Sequence, residues 1–240
     1  MATGNEAVPT YHELELPRIL ATIERLGDRI SERFPGSGLS RIAGELLRAG
    51  EETGRVVQRV RHPHWLLRLG LGLLLALLLA LAATALRFLG SLSIDVEGIG
   101  ALLEALEAAT QNLIFLGVGM YFVLSLEGRY KRRVSLVQLH RLRSIVHIVD
   151  MHQLTKDPEH LLHPGRETPS SPRLVLDRFL LGRYLDYCTE LLSLSSKLAA
   201  LHVQYLNDPV VLEAVNDIEA LAANLSNQIW QKIHHLPPQA

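Results

Sequence analysis

Two uncharged apolar runs interrupt an otherwise amphipathic chain. Leu69–Leu86 holds 18 residues between Arg68 and Arg87, and Ala108–Leu126 holds 19 between Glu107 and Glu127. As helices rising about 1.5 Å per residue they reach about 27–29 Å, close to the roughly 30 Å thickness of a bilayer's hydrocarbon core. The first run contains ten leucines. At roughly −0.5 kcal/mol each on an insertion scale, these favour insertion by about −5 kcal/mol, with no charge opposing them. The second run is more polar, carrying Thr110, Gln111, Asn112, Tyr121 and Ser125. Together the runs predict a transmembrane helical hairpin, with spans at 65–87 and 108–126 joined by a short acidic connector at 88–107.

The flanking segments have helical periodicity. In the N-terminal arm, residues 1–64, Leu16, Ile19, Leu20, Ile23, Leu26, Ile30 and Phe34 recur at helical spacing over Leu14–Phe34. Pro35-Gly36-Ser37-Gly38 breaks that pattern, and a second helix follows from about Leu39 to Arg61, ahead of Pro63. The pair predicts an antiparallel hairpin.

The C-terminal arm, residues 127–240, reads as a helical bundle. A helix over about Val134–Leu154 has Leu139, Leu142, Val146 and Val149 as its apolar stripe. Asp157-Pro158 has the form of a cap followed by a first-turn proline and predicts a short helix to about Leu162. Residues 163–172, with Pro164, Gly165, Pro169 and Pro172, read as a loop. The next helix is expected over about Arg173–Leu206. Its positions Leu180, Tyr184, Tyr187, Leu191, Leu194, Leu198, Leu201 and Tyr205 alternate by four and three residues, the spacing of a coiled-coil seam. After Asn207-Asp208-Pro209, the positions Val211, Val215, Ile218, Ala222, Leu225 and Ile229 repeat that spacing. A connection this short predicts adjacent antiparallel helices. The fold class expected is therefore all-α.

Charge orients the hairpin. Arg55, Arg59, Arg61 and Arg68 precede the first run, and Arg129, Lys131, Arg132 and Arg133 follow the second. Asp95, Glu97, Glu104 and Glu107 lie in the connector. The positive-inside rule puts both termini in the cytoplasm. A formal net charge of −1 argues against nucleic acid as a partner. The single cysteine, Cys188, excludes an internal disulfide framework. Twenty of the 24 basic residues are arginine, a bias expected of a GC-rich genome, so a bacterial inner membrane is the expected location.

Candidate chemistry concentrates in His140–His163, which holds five of the eleven histidines. His147 and Asp150 are three apart on one helix face and within reach of a carboxylate–imidazole hydrogen bond. With His152 and Asp157 they form the candidate acid–base or ligand set. His140 and His147 are about 10.5 Å apart along a helix axis, too far to share one metal ion. His160 and His163, with His202 from the long helix, are the candidate metal ligands. No G-x-S-x-G, Walker, C-x-x-C or H-E-x-x-H motif occurs, and no cofactor is expected.

Three functions follow as expectations. The first is a membrane-anchored helical interaction or scaffold module, self-associating or binding a protein partner on the cytoplasmic side. The second is an oligomeric pore or transporter component, suggested by the polar residues of the second span. The third is a membrane-bound ligand sensor or enzyme built on the histidine-rich stretch.

Overall fold

The computed structural model describes residues 13–61, isolated positions between 69 and 87, residues 98–156, Pro158 and residues 176–236. Among the described residues the chain is all-helical, with no strand. Five helices are bounded among them: α1 (Leu16–Arg33), α2 (Gly38–Arg61), α3 (Gly98–Leu154), α4 (Arg178–Tyr205) and α5 (Pro209–His234). Backbone proximity groups the chain into two units, Met1–Arg61 with Arg132–Ala240, and His62–Lys131.

In the first unit, α1 buries Ile19, Ile23, Leu26 and Ile30, a stripe at four- and three-residue steps. Phe34 ends the helix. Gly36, at φ 69°, then supplies the left-handed turn that a side chain would resist, and α2 returns antiparallel. The two helices approach closely because α2 presents glycines to α1. A Cβ on Gly50 would lie 2.6 Å from Leu20 Cδ2, and one on Gly54 would lie 2.6 Å from Leu16 Cδ2.

Helix α4 is the centre of this unit and is enclosed on two neighbouring stripes. One contains Tyr184, Tyr187, Leu191, Leu194, Leu198 and Leu201. The other contains Leu181, Leu185, Cys188, Leu192, Ser195, Ala199 and His202. The first holds six of the eight positions expected from sequence, while Leu180 and Tyr205 are only partly buried. The second has the same spacing, one residue further along. Two stripes are needed because α1 and α2 pack on α4 as well as α5. Asp177 caps α4 by accepting from Leu180 N–H at 2.7 Å. Asp208 caps α5, with Pro209 in the first turn, and Val211, Val215, Ile218, Ala222, Leu225 and Ile229 are all buried.

Helix α3 runs unbroken for 57 residues, about 85 Å at helical rise. Its C-terminal part buries Ser135, Leu139, Leu142, Val146, Val149 and Gln153, again at four- and three-residue steps. Its N-terminal part exposes Leu103, Leu106, Leu113, Ile114, Phe115, Val118, Tyr121 and Phe122. Sequence separates the connector, the second span and the Val134 helix, but all three are continuous here from Gly98 onward. No proline interrupts them. Gly128, where the apolar run gives way to the polar stretch, costs only about 1 kcal/mol, and it sits beside a Glu127–Lys131 ion pair of 2.8 Å one turn apart.

Among the described residues one helix, α3, is long and apolar enough to cross a membrane. In the first apolar run, 69–86, eight of the 18 residues are described and all eight are helical; the rest of that expected span lies outside the described residues. The same holds for the short helix expected after Pro158 and the loop at 163–172.

Candidate functional site

The histidine-rich stretch occupies the end of α3, and helix geometry distributes its side chains around the helix. The buried stripe ending at Val149 and Gln153 divides them. His140 lies on one side, lining a cleft of about 250 Å³ with Arg143, Val210, Glu213 and Asp217 against α5. His152 lies on the other, facing the start of α2. His147 is exposed.

Asp150 does not pair with His147. Its Oδ1 instead accepts from Gln153 Nε2 at 2.7 Å, and Gln153 Oε1 accepts from Lys232 Nζ of α5 at 2.8 Å. Gln153 is 1% exposed, so this chain of bonds ties the end of α3 to α5 across a closed surface. The carboxylate has an internal structural partner, and the expected carboxylate–imidazole pair is replaced by a carboxylate–amide–ammonium relay.

His152 is the candidate with the most confined setting. Its ring packs directly over Gly38, where any Cβ would collide with it. Clefts of about 280 Å³ and 380 Å³ flank it, the first lined by Ser37, Thr155, Lys156 and Tyr184, the second by Arg41, Glu45, Arg141 and Ile148. Burial lowers its pKa, and the charges of Arg41 and Lys156 lower it further. The imidazole is therefore neutral at pH 7. Lys156 Nζ stands 5.5 Å from the Tyr184 ring centroid, a cation–π contact, and burial raises the Tyr184 phenol well above its ordinary value.

His202 is far from this end. It is 2% exposed in the core of α4, and burial lowers its pKa to about 4. Asp157, His160 and His163 lie outside the described residues. Among the described residues no group of three metal-ligating side chains comes together. None of the clefts above is lined by more than one of His147, Asp150, His152 and His202.

Ion pairs across helices are the more organised electrostatic feature, and sequence spacing did not reveal them. Arg141 of α3 bonds to Glu52 and Glu45, both on α2. The Arg141 hydrogen bond is the largest influence on Glu52 and holds its carboxyl below the ordinary range. Arg132 Nε meets Asp208 Oδ2 at 2.8 Å, and Arg143 meets Asp217 at 3.6 Å. One face of α3 is thus tied to α2 and the other to α5. Of these arginines, only Arg132 belongs to the cluster that enters the topology argument from sequence, and Arg141 and Arg143 have no role in that argument.

Comparison with protein-family models, with curated proteins and with solved structures finds no match.

Proposed function

We propose that this chain is a membrane-anchored helical interaction module, with both termini and the bundle on the cytoplasmic side of a bacterial inner membrane. The observation that carries this reading is the contrast along α3. Leu113, Ile114, Phe115, Val118, Tyr121 and Phe122 are each more than half exposed, over a stretch whose apolar side chains point in all directions. Such a helix has no stable aqueous solvent and calls for lipid. A few turns later the same helix carries a narrow buried stripe. The first apolar run, with its ten leucines, supplies the second span of the hairpin.

Two features favour a module over a pore or a catalyst. The hydroxyls of Thr110 and Ser125 donate to the Leu106 and Phe122 carbonyls of their own helix, both at 2.8 Å, so they need no water-filled path. The described candidate acid–base residues, His147, Asp150 and His152, do not line a common cleft. Exposed apolar side chains on the bundle, among them Met151, Leu154, Leu212 and Trp230, give it surface for a protein partner or a second copy. The matched four-three stripes of α4 and α5 support a coiled-coil-like hairpin as its frame.

Reporter fusions at Ala240 and within Ser91–Glu97 test the topology, and the expected result is opposite sides of the membrane. Release of the chain by alkaline carbonate washing overturns the anchored reading. Crosslinking in native membranes tests the module, and recovery of the monomer alone overturns it.

A further inference from the structure

The core of the bundle holds a layer of polar atoms without partners. They are Thr53 Oγ1 of α2, Ser135 Oγ and Gln138 Oε1 of α3, and both ring nitrogens of His202 of α4. Thr53, Ser135 and His202 are 0%, 1% and 2% exposed.

Helix register brings these side chains to one level. Arg132 is held to Asp208, just past the end of α4, and Lys156 is held over Tyr184, near its start. Antiparallel helices fixed at those two points bring Gln138 opposite the turn of His202, with Ser135 one turn away. On α2, which runs parallel to α4, a Cβ at Gly50 would lie 3.4 Å from Leu198. Thr53, three residues on, therefore stands level with the turn of Leu201 and His202. Gln138 contributes a hydrogen bond to Glu52, which leaves its carbonyl oxygen as the free acceptor.

The next polar residue on the same stripe of α4 behaves differently. The buried Ser195 hydroxyl donates to the Leu191 carbonyl of its own helix at 2.8 Å and so is satisfied. Thr53, Ser135 and His202 have no such local solution. Buried hydroxyls and imidazoles in folded proteins find a partner, from protein or from water.

We propose that this layer is an internal water site, in which ordered water bridges His202, Thr53, Ser135 and Gln138 inside the bundle. The donor and acceptor inventory fits water. Gln138 Oε1 accepts only, the two hydroxyls do either, and a neutral imidazole offers one donor and one acceptor. Water has two of each. None of the four side chains carries a formal charge at pH 7, since burial holds the His202 imidazole neutral, and this disfavours an ion as occupant. Buried water commonly makes about three such bonds and occurs roughly once per 27 residues.

The proposal is tested on the full chain purified in detergent. A structure at a resolution that shows ordered solvent is expected to contain water within hydrogen-bonding distance of a His202 ring nitrogen, and a dry layer overturns the proposal. Thr53→Val gives an independent reading, because its sign separates the two cases. If water links the hydroxyl to its neighbours, the substitution lowers the melting midpoint, by about 2–4 °C for each kcal/mol lost. If the hydroxyl is truly without a partner, the isosteric methyl raises the midpoint, and that result also overturns the proposal. Neither readout depends on the membrane topology.

Discussion

Arg132 and Asp208 meet where α3 passes the short connection between α4 and α5, and the carboxylate does two jobs there. Its Oδ2 accepts from Arg132 Nε at 2.8 Å, while its Oδ1 accepts from Val210 N–H at 3.0 Å and Val211 N–H at 3.2 Å. Burial pushes its pKa up, but the Arg132 bond and the two cap bonds outweigh that and hold it below its ordinary value. Asp208→Asn keeps the cap and loses the charge pair, whereas Asp208→Ala loses both. Chemical denaturation should therefore rank them wild type, Asn, Ala. The step to Ala should total about 1–3 kcal/mol.

His202 should make stability depend on pH. Its folded pKa, about 4, lies below the ordinary 6.5. Between those values the unfolded chain binds the proton and the folded one does not, so stability rises with pH across that window. The contribution is complete above pH 6.5 and is lost as pH falls through about 4, and it amounts to at most about 3 kcal/mol. Denaturant midpoints measured at pH 7.5, 6, 5 and 4 should decline. His202→Leu should make the decline between pH 6.5 and 4.5 shallower, leaving the share due to His152, whose pKa burial also lowers, above the range where Glu52 and Asp208 begin to protonate.

Gly38 and His152 form a coupled pair. Gly38→Ala drives a methyl group into the imidazole and should lower stability by about 1–3 kcal/mol, the usual cost of overpacking. In a His152→Ala background the obstacle is gone, and alanine's higher helix propensity should make the same change neutral or favourable. Additive effects in the double-mutant cycle would contradict the contact.

Arg141 reaches Glu52 and Glu45 on a partly exposed surface. A cycle between Arg141→Met and Glu52→Gln should give a coupling of about 0.2–1 kcal/mol that shrinks in 1 M salt.

Cys188 is fully buried, and burial pushes its thiol up to about 12. A maleimide reagent should leave the folded chain unlabelled and modify it only in denaturant, because the thiolate is the reactive form. Rapid native labelling would mean that the bundle opens readily around α4.

The helices were legible because their periodicity is strong. Stripes such as Ile19–Ile23–Leu26–Ile30 and Val211–Val215–Ile218 are buried as their spacing requires. Caps at Asp208-Pro209 were legible for the same local reason. What sequence did not reveal was tertiary. The second stripe of α4 was hidden because serine, cysteine and histidine at Ser195, Cys188 and His202 dilute its apolar signal. The continuity of α3 was hidden because a polar stretch, Glu127–Arg133, reads as a boundary on a hydropathy scale, although nothing in it opposes helical backbone. The candidate site fared worst. A cluster in sequence becomes a cluster in space only where residues share a helix face within a turn or so of one another. His140 and His147 share a face but stand two turns apart along it, and His152 lies on another.

The enclosure of α4 on two stripes also sets an order of assembly. Its partners α1 and α2 leave the ribosome first, and about 150 residues, including both apolar runs, must follow before α4 is complete. At about 5–20 residues per second that interval is on the order of ten seconds. During it the Ile19–Ile30 stripe has only α2 to cover it. The nascent N-terminal hairpin must therefore wait as a partly exposed apolar surface, and it completes its own core only when the far end of the chain arrives.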